Sequence, residues 1–390
     1  MNDDEEPPLK KNKLPIEPTL NLSLPEDLIV SILARVSRLS YRNLSLVCKR
    51  FHWLLTSGEL HRIRSLSGCT ENCLYVCLRF SHNDHIPRWF MLRRRPNETL
   101  TNDTRKKKKK NKSSGYVLET IPFPHPPPAH GWGLVAVGSN IYNIGGSIYG
   151  CRSNSVSILD CWSNTWLKAP SMQVDRCRPS ANFLDGKIYV TGGYTSYKNA
   201  SHWMEVFDLK TKTWEPVLSS AGRMTLYKSK NVVVDGKLYI FGNKGVVYNP
   251  KDDTWDSLGP EMNLGSKWFS SCVIENVLYY YYYEEGIKWY DTKARSWRSL
   301  LNGMSKLPKF ARHANVRLAD YGGKMALFWD KYVASGGGRD YENRMIWCAM
   351  IALERSYRGE IWGKVEWFDA VLPNPIPKEY DFEYVGCVNV

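Results

Sequence analysis

The sequence predicts two unlike parts: a short all-α segment near the amino terminus, then a long all-β propeller. Six blades are expected, with five or seven open. Three observations lead there. Tryptophan and tyrosine recur at a nearly fixed interval after residue 130. A strand with the apolar-Tyr pattern recurs in step with them. Residues 19–66 instead carry apolar side chains at helical spacing.

The repeat is visible in two registers. An Asp or Asn precedes a Trp by six positions at Asp160/Trp166, Asp208/Trp214, Asn249/Trp255 and Asp291/Trp297. Ile141-Tyr142, Ile188-Tyr189, Leu238-Tyr239 and Leu278-Tyr279 each follow a turn, twice Asp-Gly, a dipeptide suited to a hairpin turn with positive φ. The first three strands run into Gly145-Gly146, Gly192-Gly193 and the degenerate Gly242-Asn243. Steps of 41 to 48 residues between the Trp positions match one propeller blade. The Trp is expected to fill the wedge between neighbouring blades. The glycine pair is expected to let the innermost strand pass close to the axis. After residue 300 the pattern decays into a longer, irregular blade with an inserted loop at 335–343. Strands at 73–95 and the stretch from Phe382 to Val388 are expected to share one blade, so that the chain ends close the ring.

The helical part opens at Ser23-Leu24-Pro25-Glu26, with capping-box spacing from Ser23 to Glu26 and Pro25 in the first turn. Leu28, Ile32 or Leu33, and Val36 make one apolar face; Leu44, Val47, Cys48, Phe51, Leu54 and Leu55 make a second. About 40 residues of this kind build little core alone, so the segment either packs on the propeller or binds another protein.

Composition excludes several classes. At 390 residues and 43% hydrophobic, the chain is long and apolar enough to fold without disulfides or metals. No apolar run approaches the 18 residues of a membrane span, and the acidic start Asp3-Asp4-Glu5-Glu6 is not that of a secretion signal. Ten cysteines without a C-x-x-C pair read as free thiols of a reducing compartment. The net charge of +14 is local: residues 88–112 carry +9, the rest +5. The run at 105–112 is a solvated loop or a nuclear localisation signal, which places the protein in the cytoplasm, the nucleus or both. Without interleaved aromatics it supports only non-specific contact with nucleic acid, so nucleic acid is not an expected partner, nor is a membrane. Cys69, Cys73, Cys77, His82 and His85 match no common zinc spacing, and on a strand Cys73 and Cys77 share a face with Tyr75. The five tyrosines 279–283 alternate faces of a strand, towards core seams or an exposed binding rim. No nucleophile elbow, Walker loop or H-E-x-x-H motif is present. No catalytic residue, metal or cofactor is expected.

The residues also carry a family resemblance. Asp185-Gly186-Lys187-Ile188-Tyr189-Val190-Thr191-Gly192-Gly193, with Val206-Phe207-Asp208, Thr213-Trp214 and the preceding Arg176, resembles a kelch repeat. Leu24-Pro25-Glu26-Asp27-Leu28, Ile32-Leu33 and Leu44-Ser45-Leu46-Val47-Cys48-Lys49-Arg50-Phe51 resemble an F-box, lacking only the proline that often follows its first helix. The order resembles plant F-box/kelch-repeat proteins. Composition predicts a disordered tail at 1–18 and a disordered basic loop at 96–115; the resemblance implies an F-box at 19–66 and a kelch propeller at 70–390 around that loop. It implies a substrate-recognition subunit of an SCF (cullin–RING) ubiquitin ligase, not itself an enzyme. A Skp-type adaptor would be met by Leu24, Pro25, Leu28, Ile32, Leu33, Val47, Cys48 and Phe51, and a target protein by the propeller. Two other readings stand beside it. Some kelch propellers are metal-dependent oxidases, although no residues here match their site one by one. A nuclear, nucleic-acid-associated scaffold is the other.

Overall fold

A computed structural model describes residues 24–80, 86–94, 115–123, 126–128, 133–148, 151–193, 203–218, 230–242, 245–262, 270–302, 304–333, 343–372 and 374–390. The tail at 1–18, Ser23, His82, His85, Asn243, nearly all of the basic loop and nearly all of the loop expected at 335–343 lie outside the described residues. The chain divides into two units, Met1–Cys69 and Thr70–Val390.

Among its described residues the first unit has four α-helices: α1 (Glu26–Ala34), α2 (Tyr41–Ser45), α3 (Lys49–Leu55) and α4 (Gly58–Leu66). Pro25 is the residue before α1 rather than part of its first turn. Lacking an N–H and held at φ −52°, it cannot donate, but its carbonyl accepts from Leu28 and Ile29 at 3.1 and 3.2 Å. The second apolar face is not one helix. It breaks after Ser45, and Cys48 caps α3, its Sγ accepting from the Phe51 N–H at 3.4 Å.

Among the described residues the second unit is a ring of six antiparallel sheets, each a path of four strands, with Ile376–Pro377 added as a fifth strand to the last and a two-stranded ribbon, Ser147–Ile148 with Cys151–Arg152, beside the second. Blade 1 joins the first and last strands of this unit, in the order Asp381–Asn389, Asn72–Arg79, Arg88–Arg94, Tyr116–Ile121. Its outermost strand, directly before the proline-rich stretch, has no signal in the sequence pattern. Blade 2 runs Leu134–Val137, Asn140–Ile144, Val156–Asp160, Thr165–Ala169, and blade 3 Ser180–Leu184, Lys187–Thr191, Met204–Asp208, Thr213–Pro216. Blade 4 runs Lys230–Val234, Lys237–Phe241, Val246–Asn249, Thr254–Ser257, and blade 5 Ser271–Ile274, Val277–Tyr282, Gly286–Asp291, Ser296–Ser299. Blade 6 is the long irregular one: Arg317–Tyr321, Lys324–Val333, Asn343–Arg355, Ile361–Ala370. The first strand of each blade neighbours that of the next, and Asp381–Asn389 neighbours both Arg317–Tyr321 and Leu134–Val137, which closes the circle.

The six-residue interval has a geometric cause. The Asp or Asn ends the third strand and the Trp is the second residue of the fourth. In register, Asp208 faces Thr213 and Phe207 faces Trp214; the same pairing recurs in blades 2, 4 and 5. The turn between them needs positive φ at Asn164, Lys212, Asp253 and Arg295, and the acidic or amide oxygen accepts from turn N–H groups. Those donations, first from Thr211 and from Ala294, hold the Asp208 and Asp291 carboxyls below their usual range.

Each Trp packs into a seam between blades. Trp166 lies edge-on to Trp89 of blade 1 at 5.7 Å, and Trp255 meets Trp203 of blade 3 at 5.4 Å. Trp214 Nε1 donates to the Pro170 carbonyl in the linker after blade 2, and Trp297 Nε1 to Glu261 after blade 4, both at 2.8 Å. The tyrosine run is split in the same way. Tyr279 and Tyr281 enter the seam with blade 6, Tyr280 and Tyr282 the seam with blade 4, and Tyr283 is exposed. Cys73, Tyr75 and Cys77 share the seam between blades 1 and 2, where burial pushes the Cys77 thiol up.

The glycine pairs do not lie on the innermost strand. They end the second strand, at φ +65° and +114° for Gly145 and Gly146, and +70° and +75° for Gly192 and Gly193. The close approach they permit is to the linker, not the axis. A Cβ on Gly193 would stand 2.7 Å from the Cys177 carbonyl oxygen, and Gly146 N–H donates to the Arg176 carbonyl at 2.9 Å. Arg176, fully buried, donates to Gly192 and Trp203 carbonyls and pairs with buried Glu205 at 2.8 Å. Removing one partner of such a pair strands the other charge. Arg176→Met is therefore expected to destabilise the propeller by about 3 kcal/mol or more, and the double variant with Glu205→Met by less than the single. Urea unfolding followed by tryptophan fluorescence checks this; a double-variant loss equal to the sum of the two single losses would show that the two charges do not depend on each other.

Candidate functional site

Within the helical unit, α1 is apolar on two sides. Ile29, Val30, Leu33 and Ala34 are buried. Arg64 of α4 secures the end of this helix. Its Nη1 donates to the carbonyls of Ala34 at 2.9 Å and Val36 at 2.7 Å and to the Tyr41 hydroxyl, while that hydroxyl donates to the Leu33 carbonyl. A guanidinium here satisfies carbonyls that a helix terminus leaves without partners and complements its dipole.

The other side of α1 faces outward. Leu28 and Ile32, one turn apart, form one stripe, 51% and 53% exposed, and Leu24, two residues before the helix, is exposed as well. The break between α2 and α3 adds Leu46 at 81% and Val47 at 64%, with Cys48 and Pro25 also exposed and Phe51 partly buried. A Glu26–Arg50 contact at 3.9 Å sets the start of α1 beside the start of α3, so the stripe and the turn share one end of the module. Of the eight residues that the sequence nominates for this surface, Leu33 alone is buried, at 3%. It belongs to the core because it falls one position past Ile32 on a helix with 100° between residues. Sequence reasoning did not name Leu46 and Trp53, which are exposed here as well. Both fall off the apolar face that helical spacing defines there, which is the signal that could have marked them.

The propeller presents a different site. Around its axis lies a cavity of about 300 Å³ walled by the innermost strands. Its polar groups gather at the starts of those strands: Ser180, Lys230, Asn231, Ser271, Arg317 and Glu383. The Asn182 amide donates to the Asn231 carbonyl and side chain, at 2.7 and 2.6 Å, and the Ser180 hydroxyl donates to Asn231 Oδ1 at 2.8 Å. Lys230 Nζ donates to Ser271 Oγ at 3.0 Å. Burial, and then the charge of Arg317, push the Lys230 ammonium down to about 8. Glu383 is held by Arg79 at 2.7 Å. Spacing along the chain gave no sign of this ring, because its members come from separate blades. No cluster of three potential metal ligands occurs among the described residues, and no helix of the described chain is long and apolar enough to cross a membrane.

A ring of kelch-type blades following a small helical module with an open apolar face is the form of an adaptor-type protein. Comparison with known proteins agrees. An F-box domain model matches residues 21–62, and a kelch-repeats domain model of the FKB95 type matches residues 89–372. Two putative F-box/kelch-repeat proteins of Arabidopsis thaliana are 67% identical over 399 residues, covering 100% of both chains, and 61% identical over 387 residues, covering 98% of this chain and 100% of the relative. A further F-box/kelch-repeat protein of that plant is 54% identical over 379 residues, covering 95% of each. The chain belongs to the F-box/kelch-repeat family.

The two sides of α1 separate by experiment. Leu33→Ala is expected to cost the helical unit about 2 kcal/mol or more, read as roughly 30-fold faster amide hydrogen exchange in α1 and α4 of the full chain. Leu28→Ala is expected to leave that exchange within about twofold. Matching effects from both would mean that Leu28 is core.

Proposed function

We propose that the chain is the substrate-recognition subunit of an SCF-type ubiquitin ligase and supplies no chemistry of its own. The observation that carries this is the stripe Leu28 and Ile32 with Leu24 before it and the Leu46-Val47 turn: apolar side chains held in the open on a folded module. Exposed apolar surface of this kind marks a binding site for another polypeptide. Family membership supports a Skp-type adaptor as that polypeptide, and through it a cullin–RING assembly. The propeller holds a target protein, and the mechanism is proximity: a tethered target meets the ubiquitin-charged enzyme at raised effective concentration.

Charge placed on the stripe tests the docking half. In the full chain, Leu28→Asp with Val47→Asp is expected to weaken adaptor binding at least tenfold, about 1.4 kcal/mol, with the melting temperature of the propeller unchanged. Adaptor affinity equal to that of the unaltered chain would reject this surface. We further propose that residues 105–112 direct the protein to the nucleus. Their deletion is expected to move a fluorescent fusion toward the cytoplasm, and an unchanged distribution would remove that role.

A further inference from the structure

The cationic groups at the propeller axis are used by neither half of the proposed ligase role. Lys230 begins the innermost strand of blade 4 and Arg317 that of blade 6, with blade 5 between them. Both line the same cavity. They are near enough that the charge of Arg317 depresses Lys230, and burial pushes Arg317 down too. Two like charges brought together in a partly desolvated cavity destabilise each other unless an anion sits between them.

Asp381, Glu383 and Asp330 favour the Arg317 cation from a distance, but each has a closer partner. Glu383 and Asp381 contact Arg79 at 2.7 and 2.9 Å, and Asp330 pairs with Arg344. Among the described residues, no carboxylate lies within 4.0 Å of Arg317, and the side-chain hydrogen bond described for it goes to the adjacent Val316 carbonyl at 3.0 Å. Most of a planar fork of five N–H groups is thereby left for the cavity. The Ser180–Asn182–Asn231 network meanwhile bonds within itself, which fixes the wall beside Lys230 without using either cation. The volume of about 300 Å³ is at the small end of ligand pockets. Guanidinium and ammonium groups together recognise carboxylate or phosphate oxygens, the first by its fork and the second as a point charge.

We propose that the axial cavity of this propeller is a binding site for a small free anion bearing a carboxylate or phosphate group, gripped by Lys230 and Arg317. This site does not depend on adaptor docking, and its test is read without an adaptor.

Calorimetric titration of the full chain with inorganic phosphate, and separately with malonate, at chloride-matched ionic strength supplies the measurement. Saturable binding of at least one probe is expected. Lys230→Gln and Arg317→Gln should each weaken it at least tenfold, and Lys230→Arg should keep it within about threefold. A second readout uses the unaltered chain, so it stands even if a variant fails to fold. Limited acetylation resolved by mass spectrometry should show Lys230 protected at least fivefold by the bound probe, while exposed Lys251 reacts at an unchanged rate. The site is overturned if neither probe binds more strongly than chloride. It is equally overturned if binding survives both glutamine variants at full strength, or if Lys230 and Lys251 are protected alike.

Discussion

Ring closure is the constraint on which the propeller depends. The strand Asp381–Asn389 pairs along its length with Asn72–Arg79, more than 300 residues away in the chain, and Glu71 and Val390 exchange N–H···O bonds just beyond it. Without that pairing, blade 1 would lack its innermost strand and the seams on either side would open. Both of those seams are large apolar clusters, one with Phe328 and Phe382 and the other with Trp89 and Leu134. A propeller buries its apolar surface between blades rather than within them, so an open ring would expose two such faces and the unpaired edge of a sheet. The Arg79–Glu383 pair sits on this closing strand, and so closure also shapes the axial cavity.

Within the ring, each repeated residue answers a local demand. The Asp ends a strand and accepts from the turn, the positive-φ residue lets that turn be tight, and the Trp that follows enters the seam. The glycine pair serves a different contact from the one its position suggests. It frees the backbone at the end of the second strand so that the linker carrying Arg176 can lie against it, and Arg176 then ties that strand to Glu205 on the third. A buried ion pair and two left-handed glycine pairs thus meet at the linker between blades 2 and 3.

The helical module works by the opposite rule. Its core is small, made by one side of α1 against α4 with Arg64 closing the helix end, and it leaves leucines, an isoleucine and a valine in the open. The open side then serves association, where burying apolar surface is favourable.

The amino-acid sequence by itself determined the class of each part, the repeat length, the seam tryptophans and the sharing of one blade by both chain ends. These are legible because they depend on spacing along a strand or helix, which is local. It also named most of the exposed apolar residues of the helical module, through resemblance and helical period. Tertiary structure alone decided the rest. It completed the first of the six predicted blades with the strand Tyr116–Ile121, which has no alternating pattern and is defined by its neighbour. It put Leu33 inside and Ile32 outside, a difference of one position that helical period does not resolve. It moved the glycines from the axis to the linker, and it assembled Lys230, Arg317 and Glu383 around one cavity. Those decisions turn on contacts between residues far apart in the chain, and no interval read along the sequence encodes which strands will stand side by side around an axis.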